Sequence, residues 1–69
     1  MIDINKLTEA DIGRYVQHTG QIRKGQVGKI IYYTDTRIFV RYRYGDKWGR
    51  FVKATDPHLL KFIKKLNQI

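Results

Sequence analysis

The sequence predicts a mainly β protein, a small antiparallel barrel of about four or five strands followed by a C-terminal α-helix. The 69 residues allow one domain, residues 1–69, which buries only about 60% of its unfolded surface. Short β-branched and aromatic runs alternate with glycine-containing turns up to residue 54, as in short antiparallel strands. From Pro57 onwards the apolar residues recur at a helical spacing instead. Bending or closing the sheet lets so short a chain bury more of its surface.

The N-terminal part of the chain predicts a turn, one strand and a loop. Thr8 and Asp11 have the spacing of a capping box, and Gly13 ends this turn. Residues 14–19 then predict a first strand. The polar stretch 20–25 has a glycine at each end, which indicates a loop.

Three further strands complete the predicted β body, residues 8–54. Residues 27–33 are rich in β-branched and aromatic side chains. Residues 37–44 follow after a short polar connector, so these two strands are predicted to form a hairpin. A Gly-Asp pair marks the next turn, and residues 48–54 are the last strand of the body.

The C-terminal α-helix is predicted over residues 57–67. Asp56 before Pro57 is a start signal, because a short polar residue caps the first turn and proline fits its first position. The helical spacing puts two sets of side chains on opposite faces. Leu59, Phe62, Ile63 and Leu66 form an apolar stripe, and Lys61, Lys64 and Lys65 lie opposite it. Such a helix would cover one side of a small core.

The strand at residues 37–44 separates apolar from cationic side chains, because successive side chains of a strand point to opposite faces. One face carries Ile38, Val40, Tyr42 and Tyr44, and the other carries Arg37, Phe39, Arg41 and Arg43. The segment 14–53 holds ten Lys and Arg against two Asp, so the whole net charge of +8 lies there. A field of this sign attracts nucleic acid, an anionic membrane or an acidic protein surface.

Seven of the nine aromatic residues lie between residues 32 and 51, among these cations. Arginine beside exposed aromatic rings is a common way to hold single-stranded nucleic acid. The alternative is that Tyr42, Trp48 and Phe51 belong to the core, and that the arginines form a solvated face that prevents sheet edges from associating. Phe39 separates these two hypotheses, because it shares the arginine-bearing face.

The predicted site is a nucleic-acid-binding surface built from a basic strand face and a basic glycine loop. Its candidate residues are Arg23, Lys24, Lys29, Arg37, Phe39, Arg41, Arg43, Lys47 and Arg50. Contacts of this kind are made to phosphates and carry little sequence preference. The alternative function is a protein-interaction module, in which the basic barrel binds an acidic protein partner or peptide.

Enzymatic, metal-dependent and membrane-spanning functions are not predicted, and no cofactor is expected. The chain has no cysteine, and its two histidines, His18 and His58, lie far apart in the sequence, so no metal-ligand spacing is present. Asp35 and Asp46 lie in predicted turns, where Asp bonds its own backbone, and no nucleophile with a nearby base is visible. No apolar run approaches the roughly 18 residues of a membrane span, and the N-terminus lacks a signal-peptide pattern. A cytoplasmic protein is expected, which the absence of cysteine also fits.

Residues 20–30 resemble the KOW motif of ribosomal and transcription-elongation proteins. Lys24, Gly25, Gly28 and Ile30 stand at the lysine-glycine pair, the second glycine and the aliphatic position of that motif. Gly20 lies one residue further upstream than the usual pattern. The resemblance implies an SH3-like barrel in which this loop and the following strand often touch RNA or a protein partner.

A second resemblance, to small phage-encoded barrel proteins, covers more of the chain. It is carried by residues 11–16, 37–42 and 54–60. It implies the same SH3-like barrel with a terminal helix, and it implies little chemistry.

Overall fold

The computed structural model describes residues 1–64, which form one antiparallel sheet of five strands. The strands are β1 (Tyr15–His18), β2 (Val27–Tyr33), β3 (Ile38–Tyr44), β4 (Lys47–Thr55) and β5 (Leu60–Phe62). Three short 3₁₀ turns lie at Ile4–Lys6, Glu9–Asp11 and Pro57–Leu59. β1 to β4 are neighbours in chain order, and β5 pairs with the other side of β1, so β4 and β5 form the two edges. The four strands predicted between residues 14 and 54 are confirmed.

The core lies on one side of this sheet, which we call the inner face. Its fully buried side chains are Val16, Ile30, Ile38, Val40, Tyr42 and Leu60. The N-terminal segment packs on this side: Ile2 is buried, its N–H donates to the carbonyl of Pro57 at 3.1 Å, and Tyr33 Oη donates to the carbonyl of Leu7 at 3.2 Å. The opposite side of the sheet, the outer face, carries the side chains at the intervening positions of each strand.

The predicted capping box at Thr8 is confirmed. Thr8 Oγ1 accepts from the N–H of Ala10 at 3.2 Å, and Asp11 Oδ2 accepts from the N–H of Thr8 at 2.9 Å. Asp11 Oδ1 also accepts from Arg14 Nη1 at 2.9 Å. The Arg14 guanidinium carbon lies 3.6 Å from the ring centroid of Phe62, so the carboxylate of Asp11 links the N-terminal turn to β5.

Replacing Asp11 by Asn should lower the Tm most at neutral pH. The backbone bond from Thr8, and then the bond from Arg14, hold the pKa of the Asp11 carboxyl below its ordinary value of 3.8. A carboxyl whose pKa is lowered in the folded state stabilises the fold above its unfolded pKa, and this stabilisation is lost as pH falls through the folded pKa. Thermal unfolding of D11N and the natural chain should be followed from pH 7 to pH 2. The difference between their Tm values should become smaller in acid. A difference that is constant with pH would contradict this role.

The predicted fold class, a barrel with a C-terminal α-helix over residues 57–67, is wrong. The start signal operates, since Asp56 Oδ1 accepts from the N–H of His58 at 2.9 Å, but it produces only the 3₁₀ turn Pro57–Leu59. Leu60 has extended backbone angles, φ −124° and ψ 151°, and begins β5. Residues 1–64 hold no α-helix, and residues 65–67 of the prediction lie outside the described residues.

Pairing with β1 explains why the chain leaves the helical path at Leu60. β5 pairs with β1 in the register Val16–Phe62, Gln17–Lys61 and His18–Leu60. The backbone bonds Thr19 N–H to Leu59 carbonyl, at 2.8 Å, and Ile63 N–H to Tyr15 carbonyl, at 3.0 Å, extend this ladder. A helix would leave these β1 groups without a strand partner, and it would turn away the fully buried side chain of Leu60.

Candidate functional site

The outer face at the centre of the sheet is built by strand register. Tyr15 on β1 lies opposite Lys29 on β2, Lys29 lies opposite Arg41 on β3, and Arg41 lies opposite Val52 on β4. Arg43 follows two positions after Arg41 on the same face. Lys29, Arg41 and Arg43, which we call the basic cluster, are all half-buried. Directly opposed side chains such as those of Lys29 and Arg41 have Cβ atoms roughly 5 Å apart, so these like charges repel each other.

A β-bulge next to Ile31 adds an aromatic pair to one end of the basic cluster. The register between β2 and β3 shifts there, so that Tyr32 lies opposite Phe39. The two rings are stacked, with centroids 4.4 Å apart and planes inclined by 4°. Phe39 is half-buried, while Tyr32 is 48% exposed. Phe39 therefore belongs to the outer face together with Arg41 and not to the core.

Trp48 lies at the other end of the basic cluster. It is paired with Arg43 across β3 and β4. Its indole contacts Tyr15 edge to face, with centroids 6.0 Å apart and an interplanar angle of 69°. Lys29 Nζ lies 5.0 Å from the centroid of the indole ring, and the Arg43 guanidinium carbon lies 5.9 Å from it. These cation–π contacts hold the half-buried indole across the outer face.

The basic cluster has no carboxylate partner in the described part of the chain. The ion pairs among residues 1–64 join Asp11 to Arg14 and Asp56 to His58. Arg43 Nε donates to the carbonyl of Gly45 at 2.8 Å. Arg41 Nε is buried and has no hydrogen-bond partner within residues 1–64. A buried guanidinium donor without an acceptor is costly, so the outer face concentrates positive charge that the described part of the chain does not neutralise.

The remaining candidate residues surround this cluster without joining it. Arg37 lies in the β2–β3 turn, where its Nη1 donates to the carbonyl of Thr36 at 2.9 Å. Lys47 and Arg50 are exposed on β4. All three extend the positive charge along β3 and the neighbouring edge strand.

The basic loop lies towards the inner face. The Arg23 guanidinium carbon lies 4.8 Å from the ring centroid of Tyr42, an inner-face residue. Arg23 also lies beside the Tyr44 hydroxyl and lowers its pKa below the ordinary value of 10.0. Lys24 is exposed. The structure therefore brings Lys29, Phe39, Arg41 and Arg43 together and holds the loop apart from them.

The aromatic residues divide between core and surface. Tyr42 is 1% exposed, and its hydroxyl lies 2.9 Å from Thr55 Oγ1, as the core alternative expects. Phe51 and Tyr44 are instead 69% and 51% exposed. Trp48 packs on the outer face. The alternative that these aromatic residues belong to the core is therefore correct for Tyr42 and wrong for Phe51.

The candidate residues predicted from the sequence omit three aromatic residues of the outer face, namely Tyr15, Tyr32 and Trp48, although the last two belong to the aromatic group between residues 32 and 51. The alternation of β1, with Val16 and His18 buried, signals that Tyr15 points outward. The position of Tyr32 depends on a bulge that has no signal in the sequence. The chain matches no family model, no curated protein and no solved structure. Among the described residues, no three His, Cys, Asp or Glu side chains are grouped so as to hold a metal ion.

Proposed function

We propose that this protein is a non-enzymatic nucleic-acid-binding module whose outer face contacts the phosphate backbone with little sequence preference. The observation that carries the proposal is the basic cluster: among the described residues, Lys29 and Arg41 oppose each other without a carboxylate partner, and Arg41 Nε is buried without a hydrogen-bond partner. Such an arrangement raises the free energy of the unbound protein. An anion on this face relieves both costs at once.

Phosphate is the anion that this cluster suits. The guanidinium groups of Arg41 and Arg43 present planar sets of donors that match phosphate oxygens, and Lys29 adds a point charge between them and Tyr15. The phosphates of a nucleic-acid strand also match the elongated arrangement of positive charge along β3. β3 is seven residues long, about 24 Å, and Arg37 and Lys47 lie near its two ends. The resemblance of residues 20–30 to the KOW motif supports the Arg23–Lys24 loop as a second contact.

Titration of labelled oligonucleotides tests this function. Single-stranded RNA, single-stranded DNA and duplex DNA of unrelated sequences should be compared at about 50 and 200 mM salt. We expect the logarithm of the affinity to fall linearly with the logarithm of the salt concentration, with a slope of about −0.7 to −0.9 per phosphate contacted. Affinities that are alike for unrelated sequences are also expected.

Absence of binding at the lower salt concentration would contradict the proposal. In that case an acidic protein or peptide becomes the partner to test, since the same basic cluster would attract carboxylates. Binding that does not respond to salt would also contradict it, because phosphate contacts must release counterions.

A further inference from the structure

We infer that the outer face selects single-stranded over duplex nucleic acid, by stacking unpaired bases on its aromatic residues. This inference rests on the proposed function and concerns a different set of side chains. The proposed function depends on the basic cluster, whereas the selection depends on the Tyr32–Phe39 pair and on Trp48. The two can therefore fail separately.

The Tyr32–Phe39 pair presents an open end of a stack. Its rings are parallel and in contact, so each ring covers one face of the other, and Tyr32 is still 48% exposed. On the other side, the neighbour of Phe39 on β4 is Ala54, whose methyl group covers little of a ring. An aromatic stack that continues into solvent is energetically unfavourable in water, and it matches the flat face of a base.

Trp48 provides a second aromatic group, and the basic cluster lies between the two. Trp48 pairs with Arg43, which lies four positions from Phe39 along β3. At about 3.3 Å per residue this separates the two aromatic groups by about 13 Å along the strand, with Arg41 midway. Base-stacking surfaces thus alternate with a phosphate-binding group, as in grooves that track a single strand.

Duplex nucleic acid cannot use these aromatic groups. Its bases are already stacked and paired, so their flat faces are covered, whereas single-stranded bases can be splayed onto aromatic side chains. A duplex therefore binds through the basic cluster alone. Single strands gain roughly ten-fold in affinity for each base that stacks.

The experiment compares Tyr32→Leu with Tyr44→Leu. Both tyrosines are exposed to a similar degree, 48% and 51%, but Tyr44 lies beside Arg23 and away from the outer face. Neither substitution changes the net charge. Each variant, with its Tm measured as a control for folding, is titrated with a single-stranded DNA and with a hairpin duplex of the same sequence, and RNA is tested in parallel.

We expect Y32L to lose about ten-fold in affinity for the single strand and to keep its affinity for the duplex. Its salt slope should not change, because no phosphate contact is removed. Y44L should change the affinity for the two ligands by the same factor, if at all, because the neighbouring Arg23 is proposed to contact phosphates, which both ligands carry. The fluorescence of Trp48, the sole tryptophan, should be quenched by the single strand more than by the duplex.

Equal affinity of the natural chain for the single strand and the duplex at the same salt concentration would overturn the inference. So would an unchanged single-strand affinity of Y32L. In both cases the proposed function survives if binding remains salt-dependent. If neither nucleic acid binds, the proposed function itself fails, and the selection fails with it.

Discussion

Replacement of the basic cluster by glutamine, in the triple variant Lys29→Gln, Arg41→Gln and Arg43→Gln, should abolish most of the affinity for nucleic acid. Three cations on one face contribute as three phosphate contacts, so the slope of log affinity against log salt should become shallower by about 2 to 3. At low salt the affinity should fall on the order of 100-fold. Glutamine keeps much of the side-chain length and removes the charge, which separates the electrostatic contribution from packing.

A matched triple variant controls for net charge. Lys6, Lys53 and Lys64 are exposed and lie outside the outer face, and their replacement by glutamine removes the same three charges. We expect this control to lower affinity only weakly, through the long-range field. Equal losses in the two variants would show that overall charge, and not the outer face, determines binding.

The stability of the basic-cluster variant provides an independent check. Because Lys29 and Arg41 oppose each other without a carboxylate partner in residues 1–64, their removal relieves repulsion. The triple variant also loses the cation–π contacts of Lys29 and Arg43 with Trp48 and the hydrogen bond from Arg43 to the carbonyl of Gly45. These effects have opposite signs and are each about 1 kcal/mol or less. The Tm should therefore change little. A large fall in the Tm would show that the cluster serves the fold and not a ligand.

The faces of β3 could be predicted from the sequence because their pattern has a period of two. Ile38, Val40 and Tyr42 are fully buried, and Phe39 and Arg41 lie on the opposite side, as expected. Where the chain departs from the regular period, the prediction is lost. Tyr44 was expected on the core face and is 51% exposed, because it lies at the end of the strand, beyond the core.

The C-terminal segment shows why local signals were not sufficient. The sequence after Pro57 fits a helical stripe through Leu59 and Phe62, and it also fits alternation through Leu60 and Phe62. The choice is made by a distant element, since the backbone of β1 has an edge that β5 completes. Tertiary pairing of this kind overrides helix propensity, and nothing in residues 57–64 alone reveals it.

The outer-face position of Tyr32 was beyond sequence reasoning for a similar reason. The bulge next to Ile31 shifts the alternation of side chains on β2 by one residue. Tyr32 therefore points to the outer face, and Tyr33 packs against the core. On β4, by contrast, the pairing shifts by two residues between Arg41 and Arg43, which leaves Trp48 on the same face as Val52, as simple alternation places it. A shift of one residue exchanges the two faces of a strand, and bulges of this kind leave no pattern in composition or spacing.

The glycines of the KOW-like pattern have structural reasons in this chain. Gly25 has a φ of 81°, a backbone angle that residues with a side chain rarely adopt. Gly28 is buried in the centre of the sheet, where it pairs with Val16 on β1 and with Tyr42 on β3. A Cβ at Gly28 would lie 2.5 Å from Val40 Cγ1 and 2.7 Å from the carbonyl oxygen of Arg41. A side chain at position 28 would therefore strain the β2–β3 ladder.

Gly28→Ala should therefore destabilise the protein strongly. The carbonyl of Arg41 belongs to the neighbouring strand and cannot move without loss of pairing, so the added methyl group costs about 2 to 3 kcal/mol. A domain of this size is stable by only about 3 to 10 kcal/mol, and the Tm should fall by roughly 10 to 20 °C. Thermal and urea unfolding, followed by circular dichroism, measure this loss.

Gly49→Ala is the matched control, because Gly49 also lies in a strand and also faces a close contact. A Cβ there would lie 2.7 Å from Tyr44 Cε2 and 3.0 Å from the carbonyl oxygen of Tyr42. The tighter contact is with a ring that is 51% exposed and can rotate away, since exposed side chains change rotamer readily. Gly49→Ala should therefore lower the Tm by less than half as much as Gly28→Ala. Equal losses would mean that the rigidity of the β2–β3 ladder does not set the cost, and that the requirement for glycine at position 28 has another origin.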